Sequence, residues 1–208
     1  MEKEVKGLGM PETIFEVRFQ ETPETEDDPP FYLGGKTLTE SGMDQIEFYF
    51  SPNPGEPPKA LAKIASGGEL SRLMLAIKSL VLTPGDIPTL LFDEVDAGIG
   101  GLVADVVGAR LQALGARFQV LCITQLPQIA ARGATQFRIE KSVRGDRTVT
   151  SVERLDAEGR VDEVARMIGG TAITEPVRAS ARELLESAAK PQGERRKAKA
   201  KVPWRRNT

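Results

Sequence analysis

With 208 residues, 40% of them hydrophobic and 28% charged, the chain is long enough to bury a core of its own and ordinary in composition for a globular protein. No apolar run approaches the roughly 20 residues that a membrane-spanning helix needs, and Met1-Glu-Lys-Glu-Val-Lys6 lacks the hydrophobic stretch of a secretory signal. The formal net charge is −2, and the absence of histidine excludes histidine-based catalysis and histidine metal sites.

Taken in chain order, Thr13-Ile-Phe-Glu-Val-Arg-Phe-Gln20 alternates apolar and polar residues and reads as a strand. Residues 21–30 carry five acids and three prolines, the composition of an exposed loop. Asp44-Gln-Ile-Glu-Phe-Tyr-Phe-Ser51 is a second strand, followed by the irregular Pro52-Asn-Pro-Gly-Glu-Pro-Pro58. The spacing then predicts a helix from Gly67 or Gly68 to about Val81, with Leu70, Leu73, Met74, Ile77 and Leu80 on one face.

Residues 89–92 form a short buried strand, 100–114 a helix closed by Gly115, and 118–123 another buried strand. The last holds the single cysteine, Cys122, which reads as a small buried hydrophobe rather than a reactive thiol. One cysteine allows no internal disulfide and fits a reduced cytoplasmic compartment. A short helix follows Leu126-Pro127. Residues 136–141 and 147–154 alternate around Arg144-Gly-Asp146, a hairpin signal. Helices are expected at about 161–168 and 175–189. Residues 190–208 hold eight Lys/Arg against one acid, which leaves 20 basic and 29 acidic residues for the body. Such a tail is expected to be disordered and to seek a polyanion. Short buried strands alternating with helices argue for an α/β layer, a mainly parallel sheet flanked by helices, with a β-hairpin and a disordered basic tail.

Two segments carry chemistry. Thr89-Leu-Leu-Phe-Asp-Glu94 places two adjacent carboxylates at the C-terminal edge of a parallel strand, where α/β folds bind ligands. One acid there can hold Mg²⁺ and the next polarise an attacking water. The plain alternative is two solvated acids at a strand end. Ser66-Gly67-Gly68 opens a helix and presents backbone N–H groups and a hydroxyl at its positive end, a phosphate site by construction. Taken alone it is equally an N-cap serine in a glycine-rich turn. Leu33-Gly-Gly-Lys-Thr37 imitates the end of a P-loop, but Pro30 stands where the first glycine is required and no helix pattern follows.

Order and spacing combine these segments. Ser66-Gly-Gly-Glu-Leu-Ser-Arg72, then Asp93-Glu94 and Asp96-Ala-Gly-Ile-Gly-Gly101, resemble the signature motif, Walker B and D-loop of the SMC-like branch of ABC-type ATPases. Glu69 stands where transporters usually carry Gln. Asp44–Phe48, Ser51-Pro-Asn-Pro-Gly-Glu56, Ile123-Thr-Gln-Leu-Pro-Gln-Ile-Ala130 and Met167-Ile-Gly-Gly170 with Ile173-Thr-Glu175 narrow the resemblance. Together they are similar to the C-terminal half of the RecN family of bacterial double-strand-break repair ATPases, over roughly residues 4–189.

The resemblance implies a composite ATPase head in DNA repair and recombination, with ATP and Mg²⁺ as cofactors. Ser66, Gly67, Gly68 and Glu69 would meet ATP held by the opposite head, Ser66 and Gly68 at its γ-phosphate. Asp93 would serve Mg²⁺ through water, and Glu94 would orient and deprotonate the attacking water. Asp96 in the D-loop would cross the head–head interface. The switch position, a histidine in such heads, is Gln125 here, whose amide can hydrogen-bond but carries no titratable proton. Implied partners are an N-terminal lobe carrying Walker A, a second head in a homodimer, and DNA, with no membrane and a cytoplasmic, nucleoid-associated location. Residues 1–10 would end a returning coiled-coil helix, 11–189 form the C-terminal lobe, and 190–208 a basic flexible tail.

With no Walker A, the chain reads as a fragment or a split-gene product, inactive alone. Lys197, Lys199, Lys201, Arg205 and Arg206 beside Trp204 are the candidate DNA contacts, weighed against a merely solvated terminus. The alternatives are the nucleotide-binding subunit of an ABC transporter, and a non-hydrolysing dimerisation or DNA-binding lobe.

Overall fold

The computed structural model describes residues 1–21, 31–33, 36–38, 40, 42–64, 67–83 and 89–189. The chain divides into two compact units, Met1–Val81 and Leu82–Thr208.

The first unit contains helix α1 (Glu2–Lys6), strands β1 (Ile14–Glu21), β2 (Phe31–Leu33), β3 (Lys36–Leu38), β4 (Asp44–Ser51) and β5 (Lys59–Ala60), a 3-10 turn at Leu61–Lys63, and helix α2 (Gly67–Val81). β4 is the centre of an antiparallel sheet ordered β1-β4-β5, in register from Ile14 opposite Ser51 to Glu21 opposite Asp44. The period-2 pattern puts Phe15, Val17 and Phe19 opposite Phe50, Phe48 and Ile46 on one face, with Phe15 and Phe48 stacked at 5.6 Å. The other face is polar: Arg18 pairs with Glu16 at 2.7 Å and lies over the Tyr49 ring. α1 packs on α2, and Val5, Leu8, Phe50, Leu73 and Leu75 are fully buried.

The second unit runs β6 (Thr89–Phe92), α3 (Gly101–Gly115), β7 (Gln119–Cys122), α4 (Pro127–Ala130), β8 (Phe137–Arg144), β9 (Arg147–Arg154), α5 (Ala157–Gly169) and α6 (Glu175–Ala189). β6 and β7 are parallel, Thr89 opposite Gln119 through Phe92 opposite Cys122. A parallel pair needs a long crossover, and α3 supplies it. Leu90 and Phe92 are buried, whereas Leu91, Leu121 and Ile123 on the opposite face stay 67%, 48% and 50% exposed. Gly108 lets α4 approach α3, because a Cβ there would lie 3.2 Å from the Gln128 carbonyl oxygen. The Arg132 guanidinium reaches Asp105 at 3.2 Å, tying α3 to the residues just past α4. In the α5–α6 pair, Val164, Ala165 and Ala181 form a core flanked by Val161, Val177, Leu184 and Leu185. Asp156 caps α5 by accepting from Gly159 N at 2.8 Å, and Gly170 ends it at φ +66°.

The α/β class is as the sequence suggests, and several expectations need correction. Parallel pairing is confined to β6–β7; the other ladders among the described residues are antiparallel. Strands with one polar face, such as β1 and β4, suit antiparallel pairing, so their alternation outweighed the βα signal. As the sequence suggests, the segment that imitates a P-loop opens no helix: β2 and β3 pair, with Leu33 opposite Lys36. α5 begins at Ala157 rather than near Val161. α3 ends on Gly115 with Ala116 beyond it in right-handed conformation, so no left-handed glycine closes it. α2 buries Gly68, Arg72, Leu73, Leu75 and Ala76, while Leu80 is exposed. The apolar stripe is broad, and Arg72 and the small Gly68 and Ala76 share the buried side, so side-chain type alone does not mark which residues face inward. The acidic loop at 22–30 and the basic tail lie outside the described residues.

Candidate catalytic site at the end of β6

β6 delivers Asp93 and Glu94 just past its C-terminal end, both solvent-exposed. Asp93 Oδ1 accepts the Glu94 amide at 2.9 Å. Glu94 has φ +56° and is the one non-glycine residue with positive φ among the described residues. A side chain in that region costs on the order of 1–2 kcal/mol, and such strain gathers at functional sites. The chain then turns tightly, with Ala97 N donating to Glu94 O and Ile99 N to Asp96 O. Gly98 at φ +72° and Gly101 at φ +52° take the left-handed positions that let it enter α3.

The ladder runs one step beyond β7, where Ile123 N donates to Phe92 O at 3.0 Å. This step carries Thr124 and Gln125 alongside the acid turn. Asp96 Oδ2 accepts from Thr124 Oγ1 at 2.6 Å and from Gln125 N at 2.7 Å. Thr124 Oγ1 in turn accepts Leu126 N at 3.0 Å, at the N-cap of α4. Asp93, Glu94, Asp96 and Gln125 therefore gather at one edge of the parallel pair. Asp96 is bonded within its own chain through Oδ2. Cys122 lies beneath: burial, then the charges of Asp96 and Asp93, push its thiol up to about 12. It is protonated and inert at neutral pH.

Among the described residues no three His, Cys, Asp or Glu side chains are grouped as a metal cage. Mg²⁺ seldom needs one, since it keeps its waters and takes one or two carboxylates plus substrate phosphates. Exposed carboxylate oxygens at a strand end fit that donor set.

The signature segment lies in the first unit. α2 begins at Gly67, which puts Gly67, Gly68 and Glu69 in its first turn, where N–H groups have no partner within the helix. Gly68 is buried and Glu69 half-buried. One turn on, Arg72 is 4% exposed, and desolvation lowers its pKa against the opposing pull of Glu69. Ser66, Lys197, Lys199, Lys201, Arg205 and Arg206 lie outside the described residues. Sequence reasoning missed Thr124: nothing local marks a threonine whose partner is 28 residues away.

No protein-family model matches the chain. Among curated proteins it is 44% identical over 186 residues to "DNA repair protein RecN" of Halalkalibacterium halodurans, covering 89% of this chain and 31% of that protein. It is 42% identical over 188 residues to the RecN of Bacillus subtilis, covering 89% and 33%. For the RecN of Vibrio cholerae the figures are 48% over 147 residues, 71% and 26%. The chain thus spans about a third of the length of these relatives or less. Among solved structures, the Smc head domain with a coiled coil and joint from Pyrococcus yayanosii aligns at TM-score 0.46 and 21% identity, covering 91% of this chain and 28% of that one. Over the stretch that it spans, the chain belongs to the RecN family and corresponds to its C-terminal part.

Proposed function

We propose that the chain is the C-terminal lobe of a composite ATPase head of the SMC-like ABC type, acting in DNA double-strand-break repair and recombination. The observation that carries this reading is Glu94, held at φ +56° beside Asp93 at the end of a parallel strand, in the turn whose Asp96 accepts the Gln125 amide. The relatives' name, DNA repair protein, supports the biological setting. In this reading Asp93 serves Mg²⁺ through water, and Glu94 orients the attacking water and takes its proton. The Gln125 amide hydrogen-bonds a phosphate oxygen or that water. Ser66, Gly67, Gly68 and Glu69 meet the triphosphate held by a second head. When bound, Mg²⁺ neutralises charge on the phosphate oxygens. A separate lobe supplies Walker A, the second head completes a homodimer, and ATP state governs DNA holding or end-bridging. The basic residues 197–206 add phosphate contacts. Residues 1–10, 11–189 and 190–208 keep the roles of helix end, lobe and tail, and the location is cytoplasmic at the nucleoid. Among the described residues no helix is long and apolar enough to cross a membrane.

Gln125 favours one second reading, a lobe that associates on nucleotide without turnover, because an amide cannot shuttle a proton. The test mixes this chain with a separately expressed P-loop lobe and measures phosphate release for wild type and Glu94→Gln. Release that falls with Glu94→Gln supports the proposal, equal rates remove Glu94 from catalysis, and nucleotide-dependent association without release selects the second reading.

A further inference from the structure

The hydrogen bonds of Asp96 connect two loops that the proposed chemistry uses separately. One carries Asp93 and Glu94; the other carries Gln125. A single carboxylate oxygen, Oδ2, takes both the Thr124 hydroxyl at 2.6 Å and the Gln125 amide at 2.7 Å. Both distances are in the range of charge-assisted bonds. The Thr124 hydroxyl donates to Asp96 and accepts Leu126 N at 3.0 Å, which fixes the loop where α4 begins. Glu94 and Asp96 belong to one tight turn, closed by Ala97 N on Glu94 O at 3.0 Å. Moving the Gln125 backbone therefore pulls on the residue two places from Glu94.

We propose that Asp96 and Thr124 are positioning residues that latch the Gln125 loop to the acid turn within one chain. Asp96 then sets where the Gln125 amide stands relative to Glu94. This inference rests on the reading of Glu94 and Gln125 as the hydrolytic pair. Asp96 acts through other groups and touches no reacting atom. The Asp96 oxygen that makes these bonds is committed inside the chain, as an intramolecular aligning role requires.

Two readouts test the latch. In the 208-residue chain, amide exchange at Gln125 is followed by NMR for wild type, Asp96→Ala, Asp96→Asn, Thr124→Val and Thr124→Ser. Asp96→Ala should speed Gln125 exchange about tenfold or more, since a hydrogen bond to a charged acceptor is lost. Asp96→Asn keeps an oxygen acceptor and should retain most of the protection. Thr124→Ser should restore what Thr124→Val loses. In the chain combined with a P-loop lobe, Asp96→Ala and Thr124→Val should lower kcat for ATP about tenfold with KM unchanged, and Thr124→Ser should rescue it. Unchanged exchange at Gln125 in Asp96→Ala overturns the latch whatever the activity. Faster exchange with wild-type kcat, or KM rising instead of kcat falling, overturns the positioning role. If even the wild-type mixture releases no phosphate, the ATPase reading fails, and the exchange arm still decides the latch.

Discussion

In the α5–α6 pair each local signal agrees with the packing, whereas at residues 93–101 local preference is overruled. Asp156 is a good cap and uses its carboxylate as one. Gly170 ends α5 at a positive φ that favours glycine, and small Ala165 and Ala181 let the helices close on Val164. Past β6, a glutamate sits where glycine is preferred, two acids stand exposed side by side, and a third is spent on another loop. Agreement across levels marks scaffold, and a conflict held in place by its surroundings marks a site. Both regions lie in the second unit, so the contrast is internal to one folded body.

The sharpest way to break this comparison is Glu94→Gln, which should lower phosphate release by the completed head about a hundredfold or more with little change in folding stability. Steady-state kinetics beside a urea melt checks both halves. In the scaffold, Val164→Ala should cost about 2 kcal/mol by cavity formation at a fully buried position, read as a lower urea midpoint. Asp156→Ala should cost about 1 kcal/mol through loss of the α5 cap, and activity per folded molecule should not move. A smaller effect of opposite sign is expected at the site: Glu94→Gly should raise stability by about 0.5–1 kcal/mol while abolishing turnover. A stability loss there would show that Glu94 is not strained. The smallest effect is in pH. The Arg166 hydrogen bond holds the Glu163 carboxyl below the usual range against the opposing cost of burial, helped by the charges of Arg166 and Arg138. A depressed folded pKa gives stability that is present above the unfolded value, about 4.3, and lost as pH falls through the folded one. Wild type should therefore lose stability more steeply below about pH 4.5 than Glu163→Gln does.

The same contrast explains what the sequence makes legible. β4 over Asp44–Ser51, α2 from Gly67 to Val81 and α6 over Glu175–Ala189 follow in extent from alternation, helical spacing and the glycine turn that opens α2, although which face of α2 is buried does not. The first turn of α5 does not, since Ala157-Glu-Gly-Arg160 has no apolar residue facing a core and only the cap announces it. β2, β3 and β5 are too short to show alternation. At the site, Asp93 and Glu94 are candidates from residue type at a strand end, whereas Gln125 is a candidate only through the resemblance. The bonds of Asp96 are not legible in the sequence, because they arise only once β6 and β7 align and bring residue 124 beside residue 96.

One face of that alignment has a thermodynamic consequence. Leu91, Leu121 and Ile123 stand in water on a parallel ladder, an arrangement that proteins ordinarily cover on both sides. Whatever lays an apolar surface over them removes ordered hydration, so its association should show a negative heat-capacity change in calorimetry across a range of temperatures. Leu121→Ser should flatten that slope while leaving Asp93 and Glu94 where they are.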